Sequence, residues 1–385
     1  MSATGRSDTD APAASDVAGR LRDAGFVRLI AAETGDAVAA AGLLATALDA
    51  RDVPYQTSVV GLPARPTDGT DADVTVALGR PVATAKTAVG TGPSSVSAAA
   101  HDIAVELGTA DPALALAGAA TGGRSPGSDL LGAAEDHGID RRPGIATPGV
   151  GPADGLAHST LVHAPFSGAP DRAATALADL DVSESLDTDA RQRLASFVAL
   201  TVAGNEAATE HGAAVVERFL RPLVAGPFDT VGGFGDVLAA TVRERPGLAM
   251  VLALGGTDTD AALPVWRDHA ERAHAGVREA STGRYDGLYV ARCGESSADG
   301  GVPVGTVARL LGAFRSPEPV VLVVAGGVAE ARSVTEASEP SPDVGTAVSA
   351  AADRLGGEGA GTATRGRATY DGSPTEFVAA FREVL

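Results

Sequence analysis

Lysine is all but absent from this 385-residue sequence: Lys86 is the one lysine, and arginine supplies the other basic side chains against 49 aspartates and glutamates. The net charge is −19 and the pI is near 4.7. Strong attachment to a nucleic-acid backbone calls for a basic stripe, which no run of the sequence provides, although a folded cleft could gather scattered arginines. Dense carboxylates with little lysine suit a cytosol at molar salt, where they keep a surface hydrated, so halophilic adaptation is expected. Cysteine is as scarce. Cys293, alone, excludes an intramolecular disulfide and any zinc site built from several cysteines, and it reads as a small residue at a strand end. No apolar run approaches the length of a membrane span, and the start, MSATGRSDTDAPAASD, has no basic region followed by an apolar one. The expectation is a soluble cytoplasmic protein without membrane contact, residues 1–24 forming a disordered acidic tail.

What is present is an alternation of strand and helix patterns. Phe26 to Leu48, FVRLIAAETGDAVAAAGLLATAL, reads as a buried strand, a tight turn and a helix, with Asp36 placed to cap that helix. Strands follow at Tyr55–Val60 and Asp71–Leu78, then a helix at 94–107. Residues 187–219 and 237–245 have helical spacing. Residues 248–256, LAMVLALGG, read as a strand, residues 262–279 as a helix, and DGLYVARC as a strand. Val304–Phe314 reads as a helix, 319–325 as a strongly apolar strand, 356–368 as a Gly-rich loop, and 374–385 as a closing helix. The pattern is that of an α/β protein.

Several of these segments resemble the DHH phosphoesterase family, which includes the RecJ single-strand exonucleases, among them archaeal-type members. The helix AAAGLLATAL is similar to the Ala-rich helix that follows the family's H-x-D-x-D-G turn, and VGTVARLLGAFRSPEPVVLVV is similar to the helix and strand of its DHH-associated domain. The resemblance implies a two-lobed fold: a parallel-sheet DHH-like domain over 25–168, a helical connector over 169–246, and a smaller α/β DHH-associated domain over 247–385. It also implies metal-dependent phosphodiester hydrolysis with Mn2+ or Mg2+, and here the sequence departs. Ala32 stands at the histidine position, Thr34 at the first aspartate, Ala37 at the glycine, Ala77 or Leu78 at the strand-end aspartate and Gly123 at a further metal aspartate; Asp36 alone remains. No D-H-H follows, and His101-Asp102 lies in a helical pattern where adjacent side chains diverge by about 100°.

In the family a Gly-rich loop near the C-terminus binds substrate phosphate. At that place the sequence has Gly357, Gly359 and Gly361, with Thr362 for the family's histidine and then Arg365 and Arg367. A catalytically inactive scaffold of DNA replication or repair is the resulting expectation, a pseudoenzyme that joins a GINS/MCM-type assembly as family precedents do and contacts single-stranded nucleic acid. Two alternatives stand beside it. One is an active exonuclease with a displaced metal site that joins Asp36 to Asp68, Asp71 or Asp73. The other is a protein that binds a nucleotide or phosphate ligand. His158 and His163, five apart with no third ligand nearby, read as loop or strand-edge residues.

Overall fold

The computed structural model describes residues 13–64, 71–90, 95–121, 126–180, 188–203, 210–256, 258–294, 300–334 and 342–385. Helix α1 (Ala14–Arg22) leads into strand β1 (Val27–Ala32), helix α2 (Gly35–Asp49) and strands β2 (Tyr55–Val60), β3 (Val74–Leu78) and β4 (Thr87–Val89). Helices α3 (Val96–Glu106), α4 (Pro112–Thr121), α5 (Ser128–Asp136), α6 (Pro152–His158) and α7 (Pro170–Ala178) follow. Next come α8 (Thr188–Ala203), α9 (Glu210–Leu220), α10 (Val231–Glu244), α11 (Pro246–Ala253) and α12 (Thr259–Glu279). The last part holds β5 (Ser281–Tyr285), β6 (Leu288–Arg292), α13 (Val304–Phe314), β7 (Val320–Ala325), β8 (Val328–Ser333), α14 (Val344–Arg354), β9 (Glu358–Thr362), β10 (Arg365–Thr369) and α15 (Pro374–Val384).

These elements form two lobes, each built on its own sheet. The first sheet has the order β2-β1-β3-β4 and is parallel throughout, and β1, VRLIAA, is covered on both faces, its apolar residues interrupted only by the buried Arg28. The second has the order β5-β6-β7-β8-β10-β9, antiparallel except where β6 meets β7. Its β7, VVLVVA, is buried along its whole length, with alternate side chains in the cores on either face. Helix α12 joins the lobes: Ala262 and Trp266 belong to the core of the first, Ala273 and Val277 to a core shared with α8, α9, α13 and β7.

Three segments differ from the sequence reading. The tail assigned to 1–24 contains α1, whose Val17, Ala18 and Leu21 are buried against the first core. Residues 248–256 are not a strand: 248–253 are most of α11, which is entered at Pro246 and left just before Gly255, whose φ of +82° ends the helix. A short, wholly apolar run has no periodicity to separate a buried strand from a buried helix. The Gly-rich loop at 356–368 is the β9–β10 hairpin, and its glycines let α14 lie close on it. A Cβ on Gly359 would come within 2.7 Å of the Ser349 backbone, and one on Gly361 within 2.8 Å of the Gly345 Cα, both in α14.

The first lobe uses small residues in the same way. A Cβ on Gly42 of α2 would stand 2.2 Å from the carbonyl oxygen of Ala253 in α11, whereas one on Gly247, also in α11, meets nothing within 4 Å. Gly42→Ala is expected to lower unfolding free energy by about 3 kcal/mol, because the obstacle is backbone rather than a movable side chain. Gly247→Ala is expected to raise it by roughly 0.5 kcal/mol through helix propensity and unfolded-state entropy. Denaturant midpoints of both variants in molar KCl check the pair.

Candidate functional site in the crevice between the lobes

The turn after β1 is where the resemblance places a metal, and its side chains are committed to other partners. Thr34, not Asp36, caps α2 by accepting the amide of Ala37 at 3.2 Å. Asp36 is buried and serves a different helix. Its carboxylate accepts the backbone amides of Val96 and Ser97, each at 2.9 Å, and the Ser97 hydroxyl at 2.6 Å, so it closes the N-terminus of α3. Both oxygens are therefore occupied, and the positive end of a helix stands where a cation would sit.

Among the described residues, the displaced site that would join Asp36 to the aspartates before β3 does not assemble. Asp73 accepts the amide of Phe26 at the start of β1, whereas Asp36 follows its far end, a six-residue strand away or about 20 Å. Asp71 precedes Asp73, and Asp68 and Gly123 lie outside the described residues. Among the described residues no group of three or more His, Cys, Asp or Glu is arranged to hold a metal ion. The described residues at this turn do not fit a divalent cation.

Other residues singled out in the sequence are separated or buried. Asp102 is exposed on α3, but His101 is buried rather than on the solvated face. Cys293 is buried at the end of β6, near the Gly276 carbonyl, and burial with Glu279 nearby pushes its thiol up to about 11, which leaves it unreactive. His158 ends α6 between Asp154 and Glu271. His163 instead stacks on His274 of α12, their Nδ1 atoms 3.0 Å apart, while His274 Nε2 donates to the Ser159 carbonyl.

What the structure does bring together is arginine. Strands β8 and β10 pair Arg332 with Arg365 and Glu330 with Arg367, which places all four on one face. Arg365 bonds Glu330 at 2.7 Å; Arg367 stands 3.9 Å from Glu330 and 3.7 Å from Glu33 of the β1–α2 turn. Arg243 of α10 reaches the same Glu33 at 3.0 Å. Arg309 of α13 donates to Thr160 at 2.7 Å, and Thr160 donates its hydroxyl and amide to the buried carboxylate of Asp236, which also accepts Trp266 Nε1 at 3.0 Å.

Five arginines thus face three carboxylates. Burial is the main cause that lowers Arg332 and lowers Arg309 to about 10; the nearby carboxylates Glu330 and Asp236 raise them, and Arg243 and Arg332 add smaller downward contributions. A crevice of this kind gains from an anion, and guanidinium forks match the oxygens of phosphate or carboxylate. Of these residues the sequence reading named only Arg365 and Arg367. The available signal was the alternation Glu330, Arg332 and Arg365, Arg367, which puts charge on one face of each strand.

A profile described as the C-terminal domain of uncharacterized protein rrnAC1427 matches residues 280–383. The protein rrnAC1427 of Haloarcula marismortui is 50% identical over 386 residues, covering 100% of both chains. The chain belongs to the rrnAC1427 family. In solved structures the same architecture occurs in CDC45 from Entamoeba histolytica, with a TM-score of 0.64 over 96% of this chain and 98% of that one at 8% identity. The likeness to CDC45 extends over both lobes of this member of the rrnAC1427 family and is one of fold. RecJ of Thermus thermophilus in complex with Mg2+ aligns with a TM-score of 0.45 over 96% of this chain and 51% of that one, at 14% identity.

Two outcomes follow from this geometry. Asp36→Ala should cost about 2–4 kcal/mol of stability, since it strips the partners from buried helix-end amides, and chemical denaturation measures that loss. In the histidine pair, burial and then the neighbouring Arg315 and Arg278 lower His163 to about 4, while burial and then His163 lower His274 to about 3. The unfolded chain takes up these protons near pH 6.5 and the folded chain does not, so stability should fall as pH drops from about 6.5 toward 4. His158 opposes this: burial works against its charge, but Asp154 and Glu271 raise it. The loss should therefore be shallower in His274→Gln than in the parent, as read from unfolding free energy against pH.

Proposed function

We propose that this chain is a RecJ-like protein of DNA replication or repair that serves as a scaffold or interaction subunit, in an assembly of the GINS/MCM type, rather than as a nuclease. The observation that carries this reading is the commitment of the β1–α2 turn, with Asp36 engaged by α3 and Glu33 by Arg243. The CDC45 fold over both lobes supports it at the level of architecture. Among the described residues no helix is long and apolar enough to cross a membrane.

A second reading is favoured by a specific observation, the five arginines of the crevice. In it the chain binds a phosphate-bearing ligand between the lobes, beneath the Arg332–Arg365 pair, whether or not it also holds a protein partner.

Affinity purification of the tagged protein from its own cells at native salt, with mass spectrometry, tests the scaffold. Recovery with GINS, MCM or other replication proteins is expected, and recovery of the protein alone would overturn a stable complex. Incubation with single-stranded oligonucleotide and Mn2+ is expected to give no cleavage. Cleavage abolished by chelation would instead restore the exonuclease alternative.

A further inference from the structure

Glu33 stands where an incoming anion would sit. It lies in the turn at the carboxyl end of β1, the edge at which open α/β sheets receive ligands. One of its oxygens, Oε2, meets guanidinium nitrogens from two different elements, Arg243 of α10 at 3.0 Å and Arg367 of β10 at 3.7 Å. Gly61, just past β2, makes the room: a Cβ there would come within 3.0 Å of Glu33 Oε1, so any larger residue would press on the carboxylate. The other two carboxylates of the crevice are differently placed. Asp236 is saturated by Thr160 and Trp266, and Glu330 is buried beneath Arg365 and packed against Gly305. Glu33 alone is half-buried on a turn and shared between the lobes.

We infer that Glu33 is a resident stand-in for ligand phosphate, a carboxylate that occupies the anion seat of the interlobe crevice and must be displaced from Arg243 and Arg367 for a phosphate group to bind. The inference rests on the phosphate-ligand reading and adds to it the residue that sets affinity. A carboxylate and a phosphate present similar pairs of oxygens to a guanidinium, and the phosphate carries more charge, so a phosphate can take over the two guanidiniums while the displaced Glu33 carboxylate turns out to solvent. With Glu33 seated, part of the crevice's positive excess is neutralised, and a group of higher charge is favoured in its place.

The test uses the full chain in molar KCl at constant ionic strength, with calorimetric titration of inorganic phosphate and anisotropy of a 5′-phosphorylated oligonucleotide beside its unphosphorylated twin. Glu33→Gln should bind phosphate about tenfold more tightly than the parent, and Glu33→Asp, whose shorter arm withdraws the carboxylate, should fall between them. Arg332→Met should weaken binding by about tenfold in either background. Unfolding midpoints establish that each variant is folded, and if Glu33→Gln is not, Glu33→Asp carries the comparison. If phosphate binds and Arg332→Met loses it, but neither Glu33 variant binds more tightly than the parent, Glu33 is not the stand-in and the crevice reading survives. If folded parent and variants bind neither probe, both readings fall. Tighter binding of inorganic phosphate by the Glu33 variants supports a seat for small phosphorylated ligands; a gain confined to the phosphorylated oligonucleotide supports a seat for a strand end.

Discussion

A carboxylate held out of water fixes how the two lobes meet. Asp236 lies in α10 of the first lobe, and its oxygens accept the amide and hydroxyl of Thr160 and the indole of Trp266. Thr160 in turn accepts from Arg309 of α13, which belongs to the second lobe. Burying such a charge is unfavourable unless it is well hydrogen-bonded, and its three donors come together only with α10, α12, α13 and the segment after α6 in one arrangement. Specificity of arrangement, more than stability, is what such a network contributes. The rest of the crevice inherits it: with α10 and α13 fixed, Arg243 and Arg309 are delivered to the same side of the second sheet as Arg332 and Arg367.

Small side chains make this proximity possible. Aromatic residues are 4% of the chain, and the cores are assembled from alanine, valine and leucine instead. Helix α2 is nearly all buried, with Gly42 against the backbone of α11 and Ala39 against Gly118 of α4. In the second lobe Gly345 lets α14 approach the β9–β10 hairpin at the carbonyl of Thr362. Glycines that in a loop would signal an anion cradle are here the condition for close packing, and the positive charge of the hairpin lies on Arg365 and Arg367 beside them.

Much of the fold was legible wherever an apolar run carried its own boundary signals. Tyr55–Val60 follows Pro54, Val304–Phe314 follows Pro303, and Pro374 opens the last helix behind the Ser373 capping box; these elements fell where the residues placed them. Residues 248–256 gave no periodicity, and α1 was hidden by the acidic stretch before it. The site was far less legible. Asp36 reads as a cap of its own helix because local spacing is all a sequence offers, but its partners are 60 and 61 residues away. Arg243, Arg309 and Arg332 converge from α10, α13 and β8, and no local pattern announces a meeting of three elements. The alternation in β8 and β10 was the one trace of it.

An acidic exterior around a basic crevice sets a constraint of its own. Against a net charge of −19, a phosphate approaching in dilute buffer meets repulsion that reaches over a Debye length of roughly 30 Å at 0.01 M salt, farther than the depth of any crevice in a chain of this size. At molar salt the screening length is about 3 Å, and the outer carboxylates cease to be felt a few atoms away. The half-buried arginines, held together by neighbouring carboxylates and partly out of solvent, are screened less than the exterior. High salt therefore removes the barrier and leaves the seat, so the same composition that keeps the surface hydrated is compatible with anion binding inside. A neutral surface would need no such condition, whereas a lysine-rich one would bind polyanions all over and lose the distinction between crevice and exterior.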